Sequence, residues 1–180
     1  RENGGLIRRA DLEAYRTTQV DPLRGSYRGF DIATNHPPGG GIMLVEMLNI
    51  LENFDLSAIG HNSTEYIRIV AEAMKAATAD KDTRVGDPSF VNIPDYLTEK
   101  VYAAEIADRI RSGERMLVTR LGQPEPKDTT HVAVVDKAGM CVTMTHSLGM
   151  PSGVITDGLG FMYNGCMAVF DPRPGRAGSI

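Results

Sequence analysis

Two apolar runs of strand length, Val132 to Val135 and Met140 to Met144, flank the four residues Asp136-Lys137-Ala138-Gly139. A connection that short joins antiparallel neighbours, with Gly139 where the turn wants a positive φ. Runs so nearly continuous in apolar side chains predict a sheet covered on both faces. The covering layers must come from elsewhere in the chain, and three helical patterns precede the strands.

Ile42–Glu52 carries its polar residues in one narrow strip, Glu46, Asn49 and Glu52, and so predicts a central helix buried on most sides. Asn62-Ser63-Thr64-Glu65 has the form of a capping box with Asn62 at the cap, ahead of Ile67, Val70, Ala71, Met74 and Ala77. Thr98 caps a third helix that runs to about Arg111 with Ala103, Ile106, Ala107 and Ile110 on one face, stopped by Gly113. Nearer the start, Asp11 is the expected N-cap of a short helix through Tyr15, with Leu12 and Tyr15 turned inward. Val20–Leu23 and Tyr27–Ala33 predict a half-buried hairpin turning at Gly25-Ser26. A glycine-rich loop, Gly149 to Gly160, is expected to lead into a short strand at Phe161-Met162-Tyr163. Helices followed by a covered sheet define a layered α/β (α+β) fold. Residues 1–128 hold the helices and the hairpin, residues 129–180 hold the sheet core, and the two together make one incomplete domain.

Composition excludes several functions. A net charge of -4, with no basic run longer than Arg8-Arg9, lacks the footprint of a nucleic-acid binder. No apolar stretch reaches the roughly 20 residues of a membrane span. Cys141 and Cys166 stand at no metal-ligand spacing, and Cys141 reads as a small buried thiol. Asp80 to Asp87 reads as a solvated helix end and no metal is assigned; Gly39-Gly40-Gly41, without a Lys-Ser/Thr partner, reads as a turn. The nine methionines are expected to fill core. The start, without a methionine, and the turn-rich end lead us to expect a piece of a longer polypeptide.

The chemistry centres on Thr129. A proline-interrupted polar linker, Gly122–Asp128, delivers the chain to Thr129-Thr130-His131 at the head of the first apolar strand. Threonines there are ordinarily good β-formers. If the bond before Thr129 is cut, however, its own α-amine becomes free to activate its hydroxyl. A threonine so equipped needs no second base, so His131 and His146 read as structural.

In order and spacing, these residues resemble the γ-glutamyltranspeptidases, members of the N-terminal-nucleophile hydrolases. Gly4-Gly5-Leu6-Ile7, Tyr27-Arg28-Gly29, Pro37-Pro38 with Gly40-Gly41, Leu48 to Glu52, Ala71-Glu72-Ala73 and Gly86-Asp87-Pro88 are similar to the late part of that family's large subunit. Thr129-Thr130-His131, Val134-Val135-Asp136 and Gly139 are similar to the start of its small subunit. The resemblance implies an αββα sandwich and a precursor that cleaves itself between Asp128 and Thr129. Thr129 would then attack a γ-glutamyl amide and pass the acyl group to water or an amine. The family's second threonine falls on Ser147 and its following asparagine on Gly149. Its substrate-ammonium pair falls on Cys166 and Val169, with Asp171 two places late.

A neutral thiol and a valine do not hold an ammonium group. Three readings therefore stand: a γ-glutamyl transferase or hydrolase, an amidase or acylase for other acyl groups, and a non-enzymatic relative that never matures. The first two imply a small acyl-amide substrate and no cofactor. The family's carboxylate-binding arginine and its oxyanion-site serine and glycine pairs fall outside these 180 residues. The segment is thus expected to be inactive alone and to need the remaining segments of its precursor. The resemblance also implies a periplasmic or extracellular location.

Overall fold

A computed structural model describes residues 7–118, 129–166 and 175. The expected linker Gly122–Asp128 lies outside the described residues.

The chain runs through α1 (Arg9–Ala14), β1 (Leu23–Tyr27), β2 (Phe30–Thr34), α2 (Gly41–Leu51), α3 (Leu56–Ile59) and α4 (Thr64–Arg84). A 3-10 turn at Asp95–Thr98 and α5 (Lys100–Arg111) follow, then β3 (Thr130–Val135), β4 (Cys141–His146), β5 (Pro151–Ile155) and β6 (Met162–Asn164). The strands pair as three antiparallel two-stranded sheets, β1-β2, β3-β4 and β5-β6.

The core lies among helices. Helix α2 packs against α4, α5 and β1, which makes it central, as its composition predicts. Ile50 and Phe54 meet Ile69, Ala73 and Ala76 of α4 and Ala103, Ile106, Ala107 and Ile110 of α5. The alanines let the helix axes approach, and each fully buried isoleucine contributes about 1.5–3 kcal/mol. All four residues predicted for the inner face of α5 are buried, and Gly113 follows the helix at φ 86°. Glu99, rather than Thr98, stands at its N-cap, because Thr98 closes the preceding 3-10 turn.

Several expectations are corrected. The polar strip of α2 faces inward: Glu46 and Asn49 are 0% and 1% exposed, while Leu44 is 40% exposed. Residues 42, 45, 46, 49 and 50 form the helix face enclosed by its neighbours, and position overrides polarity there. Asn49 Nδ2 donates to the Thr98 carbonyl at 2.8 Å, but its Oδ1 and both Glu46 oxygens have no hydrogen-bond partner among the described residues. Burial pushes the Glu46 carboxyl up to about 7, against an opposing pull from Arg84.

The cap of helix α4 stands one residue later than expected. Ser63 is its cap and accepts from the Tyr66 N–H at 3.1 Å, while Asn62 adopts φ 58° in the turn before it. Its inner face is Ile69, Glu72, Ala73, Ala76, Ala77 and Asp80; Ile67 and Met74 are exposed. Asp80 is not a solvated helix end but a buried residue that pairs with Arg84 and accepts from Tyr102 Oη at 2.6 Å. At the start of the chain, Asp11 sits inside α1 and accepts the Arg8 N–H at 2.7 Å, and Leu12 and Tyr15 point outward.

The first hairpin turns at Arg28-Gly29, both at positive φ, as a two-residue turn requires. Gly25 lies within β1, where a Cβ would stand 3.0 Å from Val45 Cγ1, so this glycine serves the approach of β1 to α2. Gly41 is tighter still: a Cβ would collide with the Asn35 carbonyl oxygen.

The second hairpin forms as predicted, with Gly139 at φ 84°. Its predicted cover is absent among the described residues: every residue of β3 and β4 is exposed, Cys141 included. Cross-strand register sorts its side chains into one face of Val132, Val134, Val142 and Met144 and another of Ala133, Val135, Thr143 and Cys141. A lone two-stranded ribbon cannot bury either. Within the expected glycine-rich loop, residues 151–155 form β5 and pair with β6.

Candidate active site

Six residue pairs form the β3-β4 ladder, from Thr130↔His146 to Val135↔Cys141. Thr129 and Ser147 are the next pair outward in that register. Their hydroxyls meet, Thr129 Oγ1 to Ser147 Oγ, at 3.1 Å. Ser147 Oγ also accepts the Gly149 N–H at 3.0 Å, which holds the serine from the loop side. One pair inward on the same face, His131 Nδ1 and Thr145 Oγ1 are 2.9 Å apart.

The loop beyond β4 folds back on the end of β6. Gly165 N–H donates to the Leu148 and Met150 carbonyls at 3.2 and 2.6 Å, and Cys166 Sγ lies 3.5 Å from the Leu148 carbonyl. Gly149 adopts φ 67°, and a Cβ built on it would stand 3.1 Å from Cys166 Sγ. Thr129, Ser147, Gly149 and Cys166, singled out from separate parts of the sequence, thus form one connected group. Asp128, on the other side of the expected scissile bond, and Val169 and Asp171 lie outside the described residues.

The group has the elements of acyl chemistry: a hydroxyl at a strand head, a second hydroxyl that orients it, and a backbone N–H that orients the second. No charged side chain occurs in residues 147–150 or 164–166. Among the described residues no cluster of His, Cys, Asp and Glu could hold a metal ion, and no helix is long and apolar enough to cross a membrane. Sequence reasoning missed two contacts, His131 with Thr145 and Gly149 with Cys166. The first was accessible once the hairpin register was written out, since partners in an antiparallel ladder have a constant sum of residue numbers. The second depends on the unforeseen β5-β6 pairing.

Helices beside antiparallel strands give this chain the mixed α/β fold of the N-terminal-nucleophile hydrolases. Within that class the family is defined: a family model described as Gamma-glutamyltranspeptidase matches residues 1–178, and the chain belongs to that family. The Acylase ACY 1 proenzyme of Pseudomonas sp. (strain V22) is 43% identical over 183 residues, covering 99% of this chain and 33% of the relative. The glutathione hydrolase proenzyme of Escherichia coli (strain K12) is 40% identical, covering 97% of this chain and 32% of the relative. Among solved structures, the γ-glutamyltranspeptidase of Helicobacter pylori superposes with a TM-score of 0.58 at 42% identity, covering 64% of this chain and 33% of that one. The enzyme from Pseudomonas nitroreducens, solved in complex with L-DON, gives 0.54 at 32% identity, with 60% and 33% covered. The chain therefore spans about a third of the length of these relatives.

Proposed function

We propose that the protein to which this segment belongs is an acyltransferase or amide hydrolase whose nucleophile is Thr129, released when the precursor cuts itself at Asp128–Thr129. The observation that carries this reading is the 3.1 Å contact between Thr129 Oγ1 and Ser147 Oγ at the head of β3.

In maturation, Thr129 Oγ attacks the Asp128 carbonyl carbon, the C–N bond breaks, and the Thr129 nitrogen takes up the hydroxyl proton. Water then hydrolyses the resulting ester, which leaves a carboxylate on Asp128 and a free α-amine on Thr129. An α-amine titrates near pH 7.7–8.0, so close to neutrality it can accept the proton of its own hydroxyl. In turnover the hydroxyl oxygen attacks the substrate amide, the amine departs with that proton, and water or a second amine takes the acyl group from the ester. Ser147, tied to Gly149 N–H, aims the Thr129 oxygen throughout. The remaining segments of the precursor supply the oxyanion donors and the rest of the substrate pocket.

Two relatives are named glutathione hydrolase and acylase, and both names include the word proenzyme. The γ-glutamyl reading follows the first name and a non-glutamyl acylase reading follows the second. Intact-mass analysis of the full-length protein tests the common part. Wild type is expected to yield a fragment beginning at Thr129 and Thr129→Ala to remain whole. Cleavage in Thr129→Ala, or an uncut wild type, would refute the proposal.

A further inference from the structure

Resting on the reading of Thr129 as nucleophile, a second question is what the acyl group meets beside it. Ser147 links Thr129 to Gly149 through contacts of 3.1 and 3.0 Å. Gly149 has no side chain, and the space one would occupy is taken: an ideal Cβ lies 3.1 Å from Cys166 Sγ and 3.8 Å from Cys166 Cα. The sulfur is held there by its own contact with the Leu148 carbonyl, by the Cys166 N–H to Asn164 Oδ1 bond at 3.1 Å, and by the Gly165 hydrogen bonds that clamp this end of β6 on residues 148–150.

We infer that Gly149 and Cys166 act as one specificity-determining pair, in which the sulfur replaces a side chain at position 149 and selects amides whose acyl chain carries no α-ammonium group. The physical reason is solvation. An ammonium entering a site gives up water and needs carboxylate, carbonyl or amide oxygens in exchange. The wall here is a thiol, a weak donor and weak acceptor, and the oxygens around it already hold partners: Asn164 Oδ1 accepts the Cys166 N–H, and the Leu148 and Met150 carbonyls accept the Gly165 N–H. A methylene chain loses nothing against such a wall. The pairing also explains why neither position acts alone. At φ 67° asparagine is among the few side chains tolerated at 149, but its Cβ would press on the sulfur unless residue 166 gives way.

The test uses the full-length, matured protein and two p-nitroanilides that differ only in the ammonium group, glutaryl and γ-glutamyl. Wild type is expected to show a kcat/KM at least about tenfold higher for the glutaryl compound. Gly149→Asn should lower turnover of both. Adding Cys166→Ala should restore turnover and move the glutaryl to γ-glutamyl ratio by more than the product of the two single changes. Intact mass, read on every variant, reports folding and maturation independently of substrate. A processed wild type that prefers the γ-glutamyl compound, or single changes whose effects on the ratio simply multiply, would overturn the pair while leaving the nucleophile standing. A wild type without a Thr129 N-terminus would overturn both.

Discussion

Glu46 offers a measurement whose sign and size both follow from its surroundings. Its carboxylate is fully buried on α2, neither oxygen receives a hydrogen bond among the described residues, and Asn49 Oδ1, one turn along, is also without a donor. The charge that acts on it is Arg84 of α4, which pairs with Asp80, and Tyr102 of α5 donates to Asp80. Burial lifts the Glu46 carboxyl from its ordinary 4.5 to about 7, with Arg84 opposing. The folded state therefore keeps a proton that the unfolded state releases. This contribution is fully present below pH 4.5, is lost progressively as the pH rises, and is gone above about 7. At about 1.4 kcal/mol per pH unit, the total is about 3 kcal/mol. Glu46→Gln keeps the shape and removes the titration. In the full-length protein, the difference in stability between variant and wild type should be small at pH 4.5 and grow to about 2–3 kcal/mol in favour of the variant by pH 8. Denaturant unfolding followed by far-ultraviolet circular dichroism at a series of pH values reads it. A difference that stays flat from pH 4.5 to 8 would refute the argument that Glu46 is buried without a donor.

Ile110→Ala should destabilise the protein by about 2–5 kcal/mol, because Ile110 of α5 is fully buried in the cluster that α5 forms with α2 and α4, whereas Val101→Ala on the exposed side of α5 should stay within about 0.5 kcal/mol; denaturation midpoints compare them. Gly41→Ala should cost about 1–3 kcal/mol, since the new Cβ meets the Asn35 carbonyl, while Gly40→Ala, with open space at that point, should be near neutral by the same assay. Ser147→Ala should slow both maturation and turnover on the order of 10²-fold by releasing the Thr129 hydroxyl, with Ser147→Thr retaining most of each; time courses of precursor cleavage and anilide release would show it.

What could be read from sequence depended on how many solutions each pattern allowed. The inner face of α5 was legible because only one stripe of that helix is apolar. Helix α4 has two, one through Ile67 and Met74 and one through Ile69 and its alanines, and only packing against α2 and α5 selects the second. The narrow polar strip of Glu46 and Asn49 did not reveal that it is itself the enclosed face, because hydropathy does not record which face a neighbour covers. The hairpin turn was placed at Gly25, a glycine present for close packing, instead of at Gly29, where positive φ is required. In the candidate site, Thr129 and Ser147 were identified by family resemblance, and their contact agrees with simple ladder arithmetic. The neighbouring Gly149–Cys166 contact has no such periodic signature, because it joins a loop to a strand end.

The Thr129–Ser147 contact lies six ladder steps from the turn at Asp136–Gly139, roughly 20 Å along the strands. Each partner is chosen by counting outward from that turn, so the turn acts as a ruler for the hydroxyl pair. Losing or gaining one residue there shifts every pair by one and brings His146 or Leu148 opposite Thr129 in place of Ser147. On the reading of Thr129 as nucleophile, Lys137 and Ala138 can therefore drift in composition while Gly139 keeps its positive φ and Asp136 its hydrogen bonds to the Ala138 and Met140 N–H groups, but single-codon insertions and deletions within the turn should be purged as surely as changes at Thr129 itself.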